Sequence, residues 1–228
     1  MKLLQRGNGL LSAPPRATLL GLGGLVLTTL LGFAAVMASG FTQSTFAFNE
    51  WLHSMQNPVS LALSKVLDAI DRPTVVAIIL LILGVGVALW RGWLPGLGAM
   101  VVAGGGWVVI AVVKVLVDEP RPPVVLEPGF EEQALSYPSG HVTFVVALTV
   151  AVAAAFAGSR WRWPLVIALA VLSLLTAYTR LYLGVHYPGD VIGGMLGGLS
   201  GALLVLGLWN LLIRSLRLGP PRGRRARA

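Results

Sequence analysis

The chain has 228 residues, of which 56% are hydrophobic and 11% charged, and its mean hydropathy is +0.81. Soluble domains carry about 25% charged residues and disordered chains need low hydrophobicity, so both classes are excluded. Cysteine is absent, which removes disulfides, thiolate metal sites and cysteine nucleophiles from consideration.

A membrane-crossing helix needs roughly 17–25 mostly apolar residues. Six stretches qualify in chain order: 17–38, 73–90, 94–113, 140–157, 163–179 and 191–213. None contains Lys, Arg, Asp or Glu, although His141 lies at the start of the fourth. The third is expected to run on through Lys114. The predicted fold is therefore all-α: one domain over residues 1–228, an integral membrane bundle of six transmembrane helices. A signal peptide competes for the first stretch, which follows Lys2, Arg6 and Arg16. Its apolar run exceeds the roughly 7–15 residues of a signal core, which favours an uncleaved span.

Residues 39–72, between the first two spans, are too polar to cross. Phe46, Phe48, Trp51, Leu52 and Met55 recur at roughly helical spacing, as do Val59, Leu61, Leu63, Val66, Leu67 and Ile70. Two short amphipathic helices at the outer interface are predicted there. They serve either as a route for lipid or as a packed cap. Residues 118–139 form a second outer loop, rich in Pro and acidic residues. In the last span Gly193, Gly197 and Gly201 recur every four residues, as do Gly194 and Gly198. Such stripes let helices approach closely, here more often within one chain than between copies. Trp90, Trp93, Trp107, Trp161 and Trp163 read as belt and packing residues.

Charge sets the orientation. With an even number of spans, one side holds 12 of the 17 basic residues and none of the 9 acidic ones. The positive-inside rule makes that side, with both termini, cytoplasmic. The net charge of +8 thus comes from anchoring segments such as the basic tail 214–228. Anionic lipid suits that tail better than nucleic acid, which is not expected as a partner. Oligomeric state is left open.

Ionisable residues near membrane depth are costly and tend to be functional. Lys114 ends the third span and Arg121 follows it; Ser139 and His141 open the fourth. Arg180 closes the fifth, and His186 and Asp190 lead into the sixth. Span counting puts all of them on the outer face. Three cations there suit a dianionic phosphate, and Ser139-Gly140 at a helix start offers backbone N–H groups to an anion. Two histidines can divide the roles of nucleophile and general acid, and a carboxylate four residues after His186 can orient its ring. Pro188 fits the first turn of the sixth span. His53 reads as structural, Asp118 and Glu119 as a solvated loop pair, and Glu127, Glu131 and Glu132 as a solvated acidic loop.

Lys114-(six residues)-Arg121-Pro122, then Pro138-Ser139-Gly140-His141, then Arg180-(five residues)-His186-(three residues)-Asp190 resembles the three-part signature of the type-2 phosphatidic acid phosphatase family. That family also includes vanadium haloperoxidases and glucose-6-phosphatase-like enzymes, and its membrane branch has six spans. Thr179 stands before Arg180, where the family more often has Ser. The resemblance implies that His186 is the nucleophile, forming a phosphohistidine, and that Asp190 raises its basicity. It implies that His141 protonates the leaving group and then activates water. Lys114, Arg121 and Arg180, with Ser139 and the Gly140 backbone, would hold the phosphoryl oxygens. No metal or other cofactor is implied.

The expected function is hydrolysis of a membrane lipid phosphate or diphosphate, of the phosphatidic acid, phosphatidylglycerol phosphate or undecaprenyl diphosphate class. The expected place is the outer side of a bacterial cytoplasmic membrane. Two alternatives share the same residues: a lipid phosphotransferase using the same phosphohistidine, and a lipid-phosphate binding or transport protein. A haloperoxidase fits poorly with six spans.

Overall fold

The structure, a computed structural model, describes residues 9–55, 57–70, 72–126 and 135–218. Lys2, Arg6, Glu127, Glu131, Glu132 and the basic tail beyond residue 218 lie outside the described residues. Among those described, every regular element is a helix.

Among the described residues nine helices follow one another: α1 (Ala17–Met37), α2 (Ser39–Ser44), α3 (Phe46–Ser54), α4 (Pro58–Leu67), α5 (Pro73–Arg91), α6 (Trp93–Val117), α7 (Gly140–Ala155), α8 (Arg162–Tyr182) and α9 (Pro188–Leu218). Five of them, α1, α5, α6, α8 and α9, are long and apolar enough to cross a membrane. The fourth predicted span is a shorter helix, α7, of 16 residues. At about 1.5 Å per residue it is roughly 24 Å long, less than a hydrocarbon core of about 30 Å. Between α1 and α5 there are three short helices where two were expected. The extra break comes at Thr45, whose N–H bonds back to Phe41 and Thr42.

Helix starts follow local chemistry. Pro58, Pro73 and Pro188 each open a helix, where a missing N–H costs nothing. Asn57 caps α4 by accepting the Ser60 N–H at 2.8 Å. At the far end of α6, Asp118 takes the left-handed conformation, φ 54°, and returns its N–H to Lys114. That C-terminal turn directs the chain inward at Glu119.

Helix α9 is the hub, packed on α1, α6 and α7. Its glycine stripe explains how. A Cβ on Gly201 would lie 2.5 Å from the Gly106 carbonyl oxygen of α6, and one on Gly198 would lie 2.6 Å from the Thr143 oxygen of α7. The stripe packs helices within one chain. Helix α7 is enclosed by α6, α8 and α9, and most of its side chains are buried.

One end of the bundle is tied by the segment before α1. Asn210 exchanges two hydrogen bonds with the Leu11 backbone (3.0 and 2.8 Å), and Trp209 donates to the Gly9 carbonyl at 2.8 Å. Arg91 reaches the Ala155 carbonyl at the end of α7, 2.6 Å away. The opposite end gathers the C-termini of α6 and α8 and the N-termini of α7 and α9. There the polar residues singled out from the sequence converge.

Candidate active site

His186 sits in the turn between α8 and α9 and is fully buried. The turn is possible because Gly184 adopts φ 75°, a conformation that favours glycine. Asn49 of α3 braces it, donating to the Leu181 and His186 carbonyls at 2.9 Å each. His186 Nδ1 lies 3.0 Å from Asp190 Oδ2, one helical turn on. Asp190 Oδ2 also accepts the Tyr187 N–H at 2.9 Å and the Ser136 hydroxyl at 2.5 Å. With Nδ1–H committed to the carboxylate, Nε2 carries the lone pair, and Arg121 Nη1 donates to it at 3.1 Å. Arg121 Nη1 also reaches the Val185 carbonyl at 2.7 Å. Burial, with the Arg121 and Lys114 charges behind it, pushes the His186 imidazole down to about 3, outweighing the opposing pull of Asp190. The ring is therefore neutral at physiological pH.

His141 and Arg180 form a second group. Arg180, on α8, is fully buried, and its Nη1 lies 3.3 Å from His141 Nε2. Both meet a residue that the sequence reading passed over. Asp68, just past α4, places Oδ1 3.0 Å from Arg180 Nη1 and its backbone carbonyl 3.1 Å from His141 Nε2. Partial burial pushes the Asp68 carboxyl upward, but Arg180, His141 and Arg72 outweigh it and hold the group below the usual carboxylate range. Asp68 is thus an anion of the chain itself, its carboxylate on the guanidinium and its backbone carbonyl at the imidazole.

Ser139 joins the two groups. It precedes α7, its N–H donates to the Asp190 carbonyl at 3.0 Å, and its buried hydroxyl has no hydrogen-bond partner among the described residues. Gly140 is the first residue of α7, so its N–H is one of the four that a helix start leaves over. Lys114, in the last turn of α6, donates to the Leu135 and Ser136 carbonyls at 2.6 and 2.9 Å. All eight residues expected from the sequence stand at one end of the bundle. Ser136, Asn49 and Asp68 were missed because no local pattern marks them.

Glu119 corrects the expectation of a solvated loop pair. It is 3% exposed, and burial, followed by the Asp190 charge, pushes its carboxyl up to about 9. The turn at Asp118 carries it into the protein while Asp118 stays exposed. His53, by contrast, packs at a tilt against the Tyr182 ring and lies 3.1 Å from that residue's carbonyl, as a structural histidine would. No group of three or more His, Asp or Glu side chains is placed to hold a metal among the described residues.

Comparison with known proteins accords with this geometry. The chain is 31% identical over 135 residues to phosphatidylglycerophosphatase B of Bacillus subtilis, covering 57% of this chain and 65% of that one. It is 43% identical over 78 residues to an undecaprenyl-diphosphatase of Sulfolobus acidocaldarius, covering 34% of each; the chain thus spans about a third of that relative's length. Its fold matches a crystal structure of a transmembrane PAP2-type phosphatidylglycerolphosphate phosphatase from Bacillus subtilis. That match has a TM-score of 0.66 at 22% identity and covers 90% of this chain and 99% of that one. The family model of the PAP2 superfamily matches residues 92–214, more than half of the chain and every residue of the expected signature, so the chain is an integral membrane protein that belongs to the PAP2 superfamily.

Proposed function

We propose that this chain is a metal-independent lipid phosphatase, one domain of six spans in a bacterial cytoplasmic membrane. It hydrolyses a lipid phosphate or diphosphate at the outer face through a phosphohistidine. The observation that carries this reading is the pairing of a buried, neutral His186 with Asp190 on one nitrogen and Arg121 on the other. A nucleophilic imidazole needs a fixed tautomer, a lone pair and an electrophile held by cations beside that lone pair.

In the first step His186 Nε2 forms a bond to phosphorus as the bond to the leaving oxygen breaks. His141 Nε2–H gives its proton to that oxygen. Asp190 stabilises the cationic imidazole as it forms, and Arg121, Arg180 and Lys114, with Ser139 and the Gly140 N–H, stabilise the equatorial oxygens. In the second step His141, now neutral, takes a proton from water as the water oxygen bonds to phosphorus and the His186 Nε2–phosphorus bond breaks, freeing His186 and releasing inorganic phosphate. The arriving phosphate displaces the Asp68 carboxylate from Arg180. The place of the site at a helix-end face of an apolar bundle supports a membrane lipid as the leaving group. The names of the relatives favour the phosphatidylglycerol phosphate and undecaprenyl diphosphate classes alongside phosphatidic acid. The one-sided distribution of basic residues supports cytoplasmic termini.

The test is phosphate release by detergent-purified full chain with EDTA present, on those three lipids and a water-soluble phosphate ester. Release from a lipid, abolished in His186→Ala with monodisperse protein, is expected. Equal release by that variant, or loss with EDTA that added divalent metal restores, would overturn the mechanism. Product formation only when an acceptor lipid is supplied would identify a phosphotransferase.

A further inference from the structure

Glu119 is a buried acid for which the proposed reaction has no use. Its backbone carbonyl accepts the Ser136 N–H at 2.8 Å, and the hydroxyl of the same serine donates to Asp190 Oδ2. Glu119 and Asp190 are therefore clamped by one residue between them. Asp190 Oδ2 has three donors: His186 Nδ1, the Ser136 hydroxyl and the Tyr187 N–H. Asp190 Oδ1 and Glu119 Oε2 are both buried, and neither meets a donor among the described residues. The two carboxyl groups are nevertheless within hydrogen-bonding reach of each other. Ionised carboxylates only accept, and two so close in a buried site cannot both ionise. One proton between the two orphaned oxygens satisfies both.

We propose that Glu119 is a positioning residue that keeps this proton and donates it to Asp190 Oδ1, pinning the carboxylate so that Oδ2 stays on His186. The proposal rests on the reading of His186 as the nucleophile. The charges facing Glu119 come from several elements. Asp190 of α9 favours the protonated form, as does burial, and together they raise Glu119 to about 9; the Lys114 ammonium of α6 pulls the other way. The Tyr137 and Tyr187 hydroxyls, on the flanking loops, are pushed up by burial and by the same two carboxyls, so they stay neutral. Arg121 faces the far side of the His186 ring. At pH 7 the pair carries one negative charge. Above about pH 9 it carries two, Asp190 is repelled, and the imidazole loses its orientation.

The experiment uses the full chain in detergent as wild type, Glu119→Gln and Glu119→Leu. Infrared spectra taken from about pH 6 to about pH 10 read the carbonyl stretch of a protonated carboxylic acid. Wild type is expected to show this band at neutral pH and lose it near pH 9, and Glu119→Gln is expected to lack it throughout. In parallel, kcat of wild type falls above about pH 9, and that fall is absent in Glu119→Gln, whose amide N–H replaces the acid proton. Glu119→Leu, which supplies no donor, loses about a hundredfold in kcat with KM little changed; thermal unfolding shows whether the protein remains folded. Glu119→Gln retains at least tenfold more activity than Glu119→Leu. Absence of the band in wild type, or an alkaline fall that persists in Glu119→Gln, or equal activity of the two variants, would overturn the proposal. Wild type that shows the band but hydrolyses no lipid would defeat the phosphatase reading and leave the shared proton standing.

Discussion

At the scale of single residues, the two histidines differ in what they demand of the substrate. In the proposed first step His141 matters only where the leaving oxygen needs a proton. His141→Ala is expected to lower kcat/KM, which reports that step, on a lipid monophosphate by about 10²–10⁴-fold, and to cost far less on p-nitrophenyl phosphate, whose phenolate leaves without help. A steady-state comparison of the two substrates checks this; equal losses would remove His141 from the acid role. His186 leaves a mark on stability. Its folded value of about 3 lies below the ordinary 6.5, so the unfolded chain takes up a proton that the folded one refuses. Stability is complete above pH 6.5 and declines as pH falls toward 3. At pH 5 the loss is roughly 2 kcal/mol. Thermal unfolding against pH, with His186→Gln showing a flatter acid side, is the measurement.

At the scale of elements, the helix ends were the most legible feature. Hydropathy is a one-dimensional signal, and the point where it stops set Lys114, Ser139, Arg180 and Pro188 at helix termini, as found. The signature residues were legible through their spacing. What hydropathy could not reveal was pairing across the chain. Arg180 meets Asp68 112 positions away, and Asn49 braces His186 from 137 positions away. Glu119 looked solvated because its neighbours are polar, and only the left-handed turn at Asp118 sends it inward. Helix α7 fell short of the stretch assigned to it because the chain turns at Phe156, where the helix is capped. The end of α4 is where these long-range contacts bear on catalysis. Asp68 competes with an incoming phosphate for Arg180, so Asp68→Asn is expected to tighten inhibition by inorganic phosphate about fivefold, equivalent to about 1 kcal/mol. Unchanged or weaker inhibition would show that Asp68 supports the anion site instead of occupying it.

At the scale of the whole molecule, the proposed orientation can be tested because the chain has no cysteine. A single cysteine at Val124, which is 56% exposed at the site end, should react with an impermeant maleimide on intact cells. One at Trp161, 53% exposed between α7 and α8, should react only after permeabilisation; the reverse pattern would invert the protein in its membrane. Asp68 also has a consequence for how such a chain diversifies. It lies outside residues 92–214, the part shared with the superfamily, yet its carboxylate and carbonyl touch Arg180 and His141 within that part. Residues 39–72 cannot drift freely, because Asn49 braces the His186 turn and Asp68 meets Arg180 and His141, and exchanging them between homologues should change turnover together with head-group preference.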